Sequence, residues 1–148
     1  MDALDEHRNE QDPRISDSLM QHISSAWVDA ANARDPDGLI ALFHPDAEFR
    51  PSLLGRSHQV YRGHDGVRRY FDDLREKDKG QQVELREVRL IGEEQILILA
   101  EVVLWAEVIS PAGIVLDIRE GKIIRAAAYL SDEPTMIAAG KKNKLKMK

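Results

Sequence analysis

One carboxylate interrupts the most apolar stretch of this chain. Glu101 lies within the run from Gln95 to Ile109, and burial among such neighbours would raise its pKa toward general acid or base duty. If the run is a strand, Trp105 lies four residues on along the same face. Leu97, Leu99 and Val103 share that face, so a pocket with one carboxylate and an aromatic wall can be drawn there. The same alternation offers a second arrangement. Gln95, Glu101 and Glu107 fall on one side, while Ile96, Ile98, Ala100, Val102 and Leu104 make the other apolar, which turns the Glu101 side outward toward solvent or a second copy.

The other candidates are single residues, each with a plain packing role beside its chemical one. Trp27 sits at helical spacing among apolar residues, where core is the usual role, yet an indole N–H seeks a partner and can line a pocket. Tyr61, in a loop, either closes a pocket mouth or packs. His64 stands beside a helix start, fit for proton transfer near neutral pH or for a structural bond there. No histidine stands four residues from another, and the chain has no cysteine, so no metal site is expected. Gly63 and Gly66 would suit a phosphate loop, but Asp65 puts a carboxylate where an anion would bind. No cofactor is expected.

With 43% hydrophobic and 32% charged residues among 148, the chain should fold as one globular domain. The net charge of −5 includes five lysines in residues 141–148, which leaves −10 on the rest, a body expected to repel nucleic acid. The acidic start, Met1 to Pro13, is unlike a secretion signal and no apolar run spans a bilayer, so a cytoplasmic protein without membrane contact is expected. Residues 1–14 and 141–148 are expected to be disordered flanks of a domain over 15–140.

Periodicity supplies the elements that would position these residues. Ile15, Leu19, Ile23, Trp27 and Ala30 make one helical stripe, capped by Ser16 or Asp17 and ended near Arg34 because Pro36 restricts Asp35. Asp35 and Pro36 open a short second helix, Ala47 to Arg50 reads as a strand after a Pro45-Asp46 turn, and Gly66 to Lys77 as a third helix capped by Asp65. From Gln82 the period is two, with a slip near Arg86 that predicts a bulge. Gln95 to Ile109 reads as one long bent strand. Ser110 to Gly113 reads as a turn, Ile114 to Ile118 and Lys122 to Leu130 as strands around a Glu120-Gly121 hairpin, and Ser131 or Asp132 as the cap of a closing helix ended by Gly140.

Several stretches resemble the SnoaL-like domains of the nuclear transport factor 2-like superfamily. They are Trp27 to Leu39 with Phe43 to Phe49, Tyr61-Arg62-Gly63-His64-Asp65-Gly66-Val67, and Gly121-Lys122-Ile123 with Tyr129-Leu130. The resemblance covers about residues 15–140. It implies an α+β cone of cystatin-like type, with a curved antiparallel or mixed sheet wrapped around the N-terminal helices to make an apolar pocket. It also implies a small apolar ligand and a homodimer.

Carried onto this chain, the resemblance turns Glu101 inward as the pocket's acid or base. The expected lining is Trp27, Phe49, Tyr61 and Tyr70, together with Leu99, Val103, Trp105 and Ala128. Other family acids are unmatched. Where a ketosteroid isomerase has its base and its oxyanion tyrosine, this chain resembles it with Pro51 and Trp27; where related cyclases and epoxide hydrolases carry a last-strand Asp, it reads Ala126-Ala127-Ala128. A cofactor-free cyclase, isomerase or hydrolase and a non-catalytic binding or dimeric module are both open from the sequence.

Overall fold

Ser16 starts the first element: its Oγ accepts the Leu19 N–H at 3.0 Å, and helix α1 runs Asp17–Ala33 behind that cap. In this computed structural model the described residues are 15–51, 60–76 and 78–129. The expected N-terminal flank, the closing helix and the lysine tail lie outside them. Arg34 ends α1 in the left-handed conformation (φ 55°), and Asp35 and Pro36 lead into the short helix α2, Pro36–Ile40. Strands β1 (Phe43–Arg50) and β2 (Tyr61–Arg62) precede helix α3 (Gly63–Arg75). The long strands β3 (Gln82–Gly92), β4 (Gln95–Leu104), β5 (Glu107–Arg119) and β6 (Lys122–Tyr129) follow.

The six strands form one mixed sheet in the order β2-β1-β6-β5-β4-β3, antiparallel except where β1 runs parallel to β6. The three helices cover one face of it, in the nuclear transport factor 2-like cone. Strand alternation decides what faces the helices. Ile96, Ile98, Ala100 and Val102 of β4 join the core with Ala112, Ile114 and Leu116 of β5, whereas Glu101 and its neighbours two residues away point to the other face. Among the described residues no helix is long and apolar enough to cross a membrane.

Four expectations about the elements are corrected. The run Gln95 to Ile109 is not one strand, because Trp105 and Ala106 both take positive φ (54° and 68°) and close a two-residue hairpin between Leu104 and Glu107. Such turns usually carry Asn or Gly, so β-branched and aromatic composition hid this one. Ser110 to Gly113 is correspondingly not a turn; it lies inside β5, paired with Leu99 to Val102 of β4. Pro111 fits there because it lies beyond the β5–β6 ladder, which begins at Gly113. Finally, β1 begins at Phe43 rather than Ala47, with Pro45 and Asp46 absorbed in a register shift, and α3 begins at Gly63 with Asp65 in its first turn instead of at its cap. The bulge at Arg86 is present, between Leu85 and Glu87.

The Gly63-x-x-Gly66 spacing has a packing cause. A Cβ at Gly66 would stand 2.8 Å from the carbonyl carbon of Tyr61, so only glycine lets α3 press on β2 this closely. His64 Nε2 lies 3.0 Å from the Phe43 carbonyl oxygen and ties the same helix start to β1. Gly66→Ala should therefore destabilise the fold by about 1–3 kcal/mol through forced backbone movement, despite alanine's better helix propensity. A fall in urea midpoint at unchanged slope is the expected reading; an unchanged midpoint would remove the packing argument.

Candidate functional site

Phe49 is the hub of an aromatic cluster that joins the helices to the first strands. Its ring lies 5.7 Å from Trp27 of α1, 4.9 Å from Tyr70 of α3 and 6.5 Å from Tyr61 of β2, with Phe43 at 6.0 Å. Most of these contacts are edge-to-face, the arrangement the ring quadrupoles favour. Rigid rings at this end meet small residues on the sheet, Ala112 and Ala128, and the mismatch leaves a cavity of about 130 Å³. It is lined by Trp27, Phe49, Tyr70, Ala112, Ile114 and Ala128, together with Leu74, Val83, Val102 and Ile109.

Polar groups are few and arranged at two levels. The Trp27 N–H and the Tyr70 hydroxyl donate no hydrogen bond to any described residue, yet neither is sealed off, since Ser24 Oγ is the one enclosed side-chain polar atom without a partner among the described residues. Both residues line the cavity and are almost fully buried, at 4% and 3% exposure. Burial first, then the neighbouring Tyr61 and Asp78, push the Tyr70 phenol well above its usual range, while Arg34 pulls it the other way. At neutral pH Tyr70 is a hydrogen-bond donor and not a base. Among the described residues the lining holds no carboxylate and no imidazole.

At the mouth, α1 is stitched to the start of β3. The Asn32 side chain donates to the Val83 carbonyl at 2.9 Å and accepts the Val83 N–H at 2.7 Å, in effect extending the sheet edge. Arg34 donates Nε and Nη2 to the two Asp78 oxygens at 2.6 and 2.7 Å, with further bonds to the Gln81 and Ala31 carbonyls. This bidentate pair, helped by the Gly80 N–H, holds the Asp78 carboxyl down at about 2. Ile109 is the extra residue where the β4–β5 register shifts between Val102 and Val103, and the bulge aims it at the mouth.

The expected site residues divide cleanly. Trp27, Phe49, Tyr70 and Ala128 come together on the cavity. Tyr61 does not line it; its ring is buried in the aromatic cluster and its hydroxyl donates to Asp73 Oδ2 at 2.6 Å, which with burial pushes its pKa up to about 12. Placement of Glu101, Leu99 and Val103 in a pocket is corrected: strand alternation puts them on the sheet face away from the helices, where Arg86 Nε donates to Glu101 at 2.7 Å. Trp105 belongs to the hairpin turn and is 84% exposed. Arg34, Ile109 and the inward face of β5 were missed, because their roles depend on the misplaced hairpin and on a left-handed helix end.

Residues 25–126 match the SnoaL-like domain. The chain belongs to that family. No curated protein sequence matches this SnoaL-like domain. Among solved structures it is similar to a SnoaL-like protein of unknown function from Burkholderia thailandensis, at 20% identity and TM-score 0.64 over 79% of this chain and 98% of that one. It is similar also to a protein of ketosteroid isomerase-like fold from Catenulispora acidiphila in complex with trimethylamine, at 16% identity and TM-score 0.62 over 80% and 92%. A third, a nuclear transport factor 2-like protein of unknown function from Mesorhizobium loti, stands at 16% and 0.59 over 77% and 92%. Likeness at these identities is one of fold. Within the fold, Pro51 is buried just after β1, and Ala126 and Ala128 face inward.

Because the folded pKa of Asp78 lies below the unfolded one, its ion pair contributes fully above about pH 4 and is lost as pH falls toward 2. Asp78→Asn should cost roughly 1–2 kcal/mol at neutral pH, and the gap from wild type should close between about pH 4 and pH 2 in denaturation curves. A gap independent of pH would mean the carboxylate's charge contributes nothing.

Proposed function

We propose that this SnoaL-like domain binds a small, mostly apolar molecule bearing a hydrogen-bond acceptor in the cavity beneath Trp27. The observation that carries this reading is the pair of donors without a described partner, the Trp27 N–H and the Tyr70 hydroxyl, on a mostly apolar wall whose other polar side chains among the described residues are Arg34, Gln81 and Ser110. Donors that keep some open surface can meet water, and a guest carbonyl or ether oxygen would take that water's place. The volume, about 130 Å³, compares with engineered cavities of roughly 150 Å³ that hold benzene, so the enclosed part of a guest amounts to one ring or a short chain. Binding is supported more than proton transfer, since the described wall offers no carboxylate or imidazole. Ammonium compounds such as trimethylamine suit aromatic walls in general. Here two hydrogen-bond donors and the Arg34 guanidinium in the wall disfavour a cation.

Titration with cyclohexanone, cyclohexane and tetramethylammonium tests this. Cyclohexanone should bind most tightly, Tyr70→Phe should weaken it about fivefold or more while leaving cyclohexane unchanged, and Ala128→Leu should abolish both. Tightest binding of tetramethylammonium would sink the reading.

A second reading, pairing of two copies, is favoured by one observation. Three of the four exposed large apolar side chains in the described residues, Trp105, Val108 and Ile109, stand on the β4–β5 hairpin. If that hairpin pairs copies in a homodimer, Trp105→Glu with Val108→Glu should yield monomers by analytical ultracentrifugation, with the circular dichroism spectrum kept. A wild-type protein monomeric at high micromolar concentration would refute it.

A further inference from the structure

The cavity has a polar neighbour. Behind a wall shared by Arg34, Phe71 and Leu74 lies a second hollow of about 300 Å³, whose other side carries Arg68, Asp72, Arg75 and Asp78. Helix α3 supplies most of it, because positions 68, 71, 72 and 75 recur at the spacing of one helix face. Three guanidinium groups thus gather beside an apolar hollow in a chain whose first 140 residues carry a net −10.

The three arginines are not equally committed. Arg34 is spent on Asp78 and on backbone carbonyls, and its ion pair is the more enclosed one, with side-chain exposures of 29% and 24%. Arg68 has one partner, Asp37 at 2.8 Å, and Arg75 has one, Asp72 at 3.0 Å, and all four of these side chains are more than half exposed. Exposed pairs of this kind contribute about 0–1 kcal/mol each, so exchanging them for a ligand carboxylate costs little. A guanidinium offers a carboxylate two parallel hydrogen bonds. Arg68 and Arg75 are two helical turns apart, about 10 Å along the axis, a span that two arginine side chains can close around one head group.

We propose that Arg68 and Arg75 bind the carboxylate head group of an amphiphile whose apolar body fills the cavity, which makes the ligand a small carboxylic acid with an acceptor further along its chain. The inference rests on the cavity reading above and adds the head-group site to it. Phe71 and Leu74 would lie along the stretch of ligand that passes from one hollow to the other.

Calorimetric titration of 7-oxooctanoate and its methyl ester separates the two ideas. The acid should bind about tenfold tighter than the ester at low salt, and the advantage should shrink at roughly 0.5 M salt, where exposed charges are screened. Arg68→Gln with Arg75→Gln should bring the acid down to the ester's affinity and leave the ester unchanged, with the circular dichroism spectrum kept. Ester binding with no preference for the acid overturns this inference alone, as does an equal loss of both ligands in the double variant. Failure of both ligands to bind the wild-type protein overturns the cavity reading and the head-group site together.

Discussion

The contact of Phe49 with four other rings is the constraint on which the rest of the structure depends. Phe49 sits on β1, yet it touches α1 through Trp27, β2 through Tyr61 and α3 through Tyr70, so elements distant in sequence share one rigid joint. Aromatic rings cannot flow into corners. Where the sheet opposite them offers alanines instead of longer side chains, the gap stays open, and the cavity is the geometric residue of that mismatch. The feature that holds the helices on the sheet is therefore also the one that leaves the cavity open.

A hollow lined this way needs a mouth that does not collapse. Two polar ties stand there, the Asn32 amide on the Val83 backbone and the Arg34 fork on Asp78, which join the C-terminal end of α1 to the start of β3 and to the residues just before it. They are directional, so they fix spacing in a way that apolar contacts cannot. Arg34 ends α1 in the left-handed conformation, where its backbone N–H caps the helix while its side chain reaches Asp78. The same side chain divides the apolar cavity from the arginine cleft, so the mouth is electrostatically patterned.

Family membership and chemistry part company here. The SnoaL-like scaffold is complete in its helix pair, its glycine-dependent contact of α3 with β2 and its mixed sheet. The one carboxylate that interrupts the central apolar run, Glu101, serves an ion-pair network with Arg86 and Glu84 on the opposite face. Among the described residues the cavity wall carries hydrogen-bond donors and no carboxylate or imidazole.

Local physics was legible in the residues themselves. The Ser16 cap, the helical stripe through Trp27, the Pro36 break, the Arg86 bulge and the Glu120-Gly121 hairpin all follow from dihedral preferences and periodicity, which act over a few neighbours. The alternation of β4 likewise carried the correct orientation of Glu101, against the inward one drawn from resemblance. Tertiary structure alone decided the rest. A turn made by Trp105 and Ala106 has no local signature, because those residues prefer strand or helix and take positive φ only when the pairing of β4 with β5 holds them there. The meeting of Arg34 with Asp78, 44 residues apart, depends on how helices dock on a sheet, and no periodicity along one chain encodes that distance.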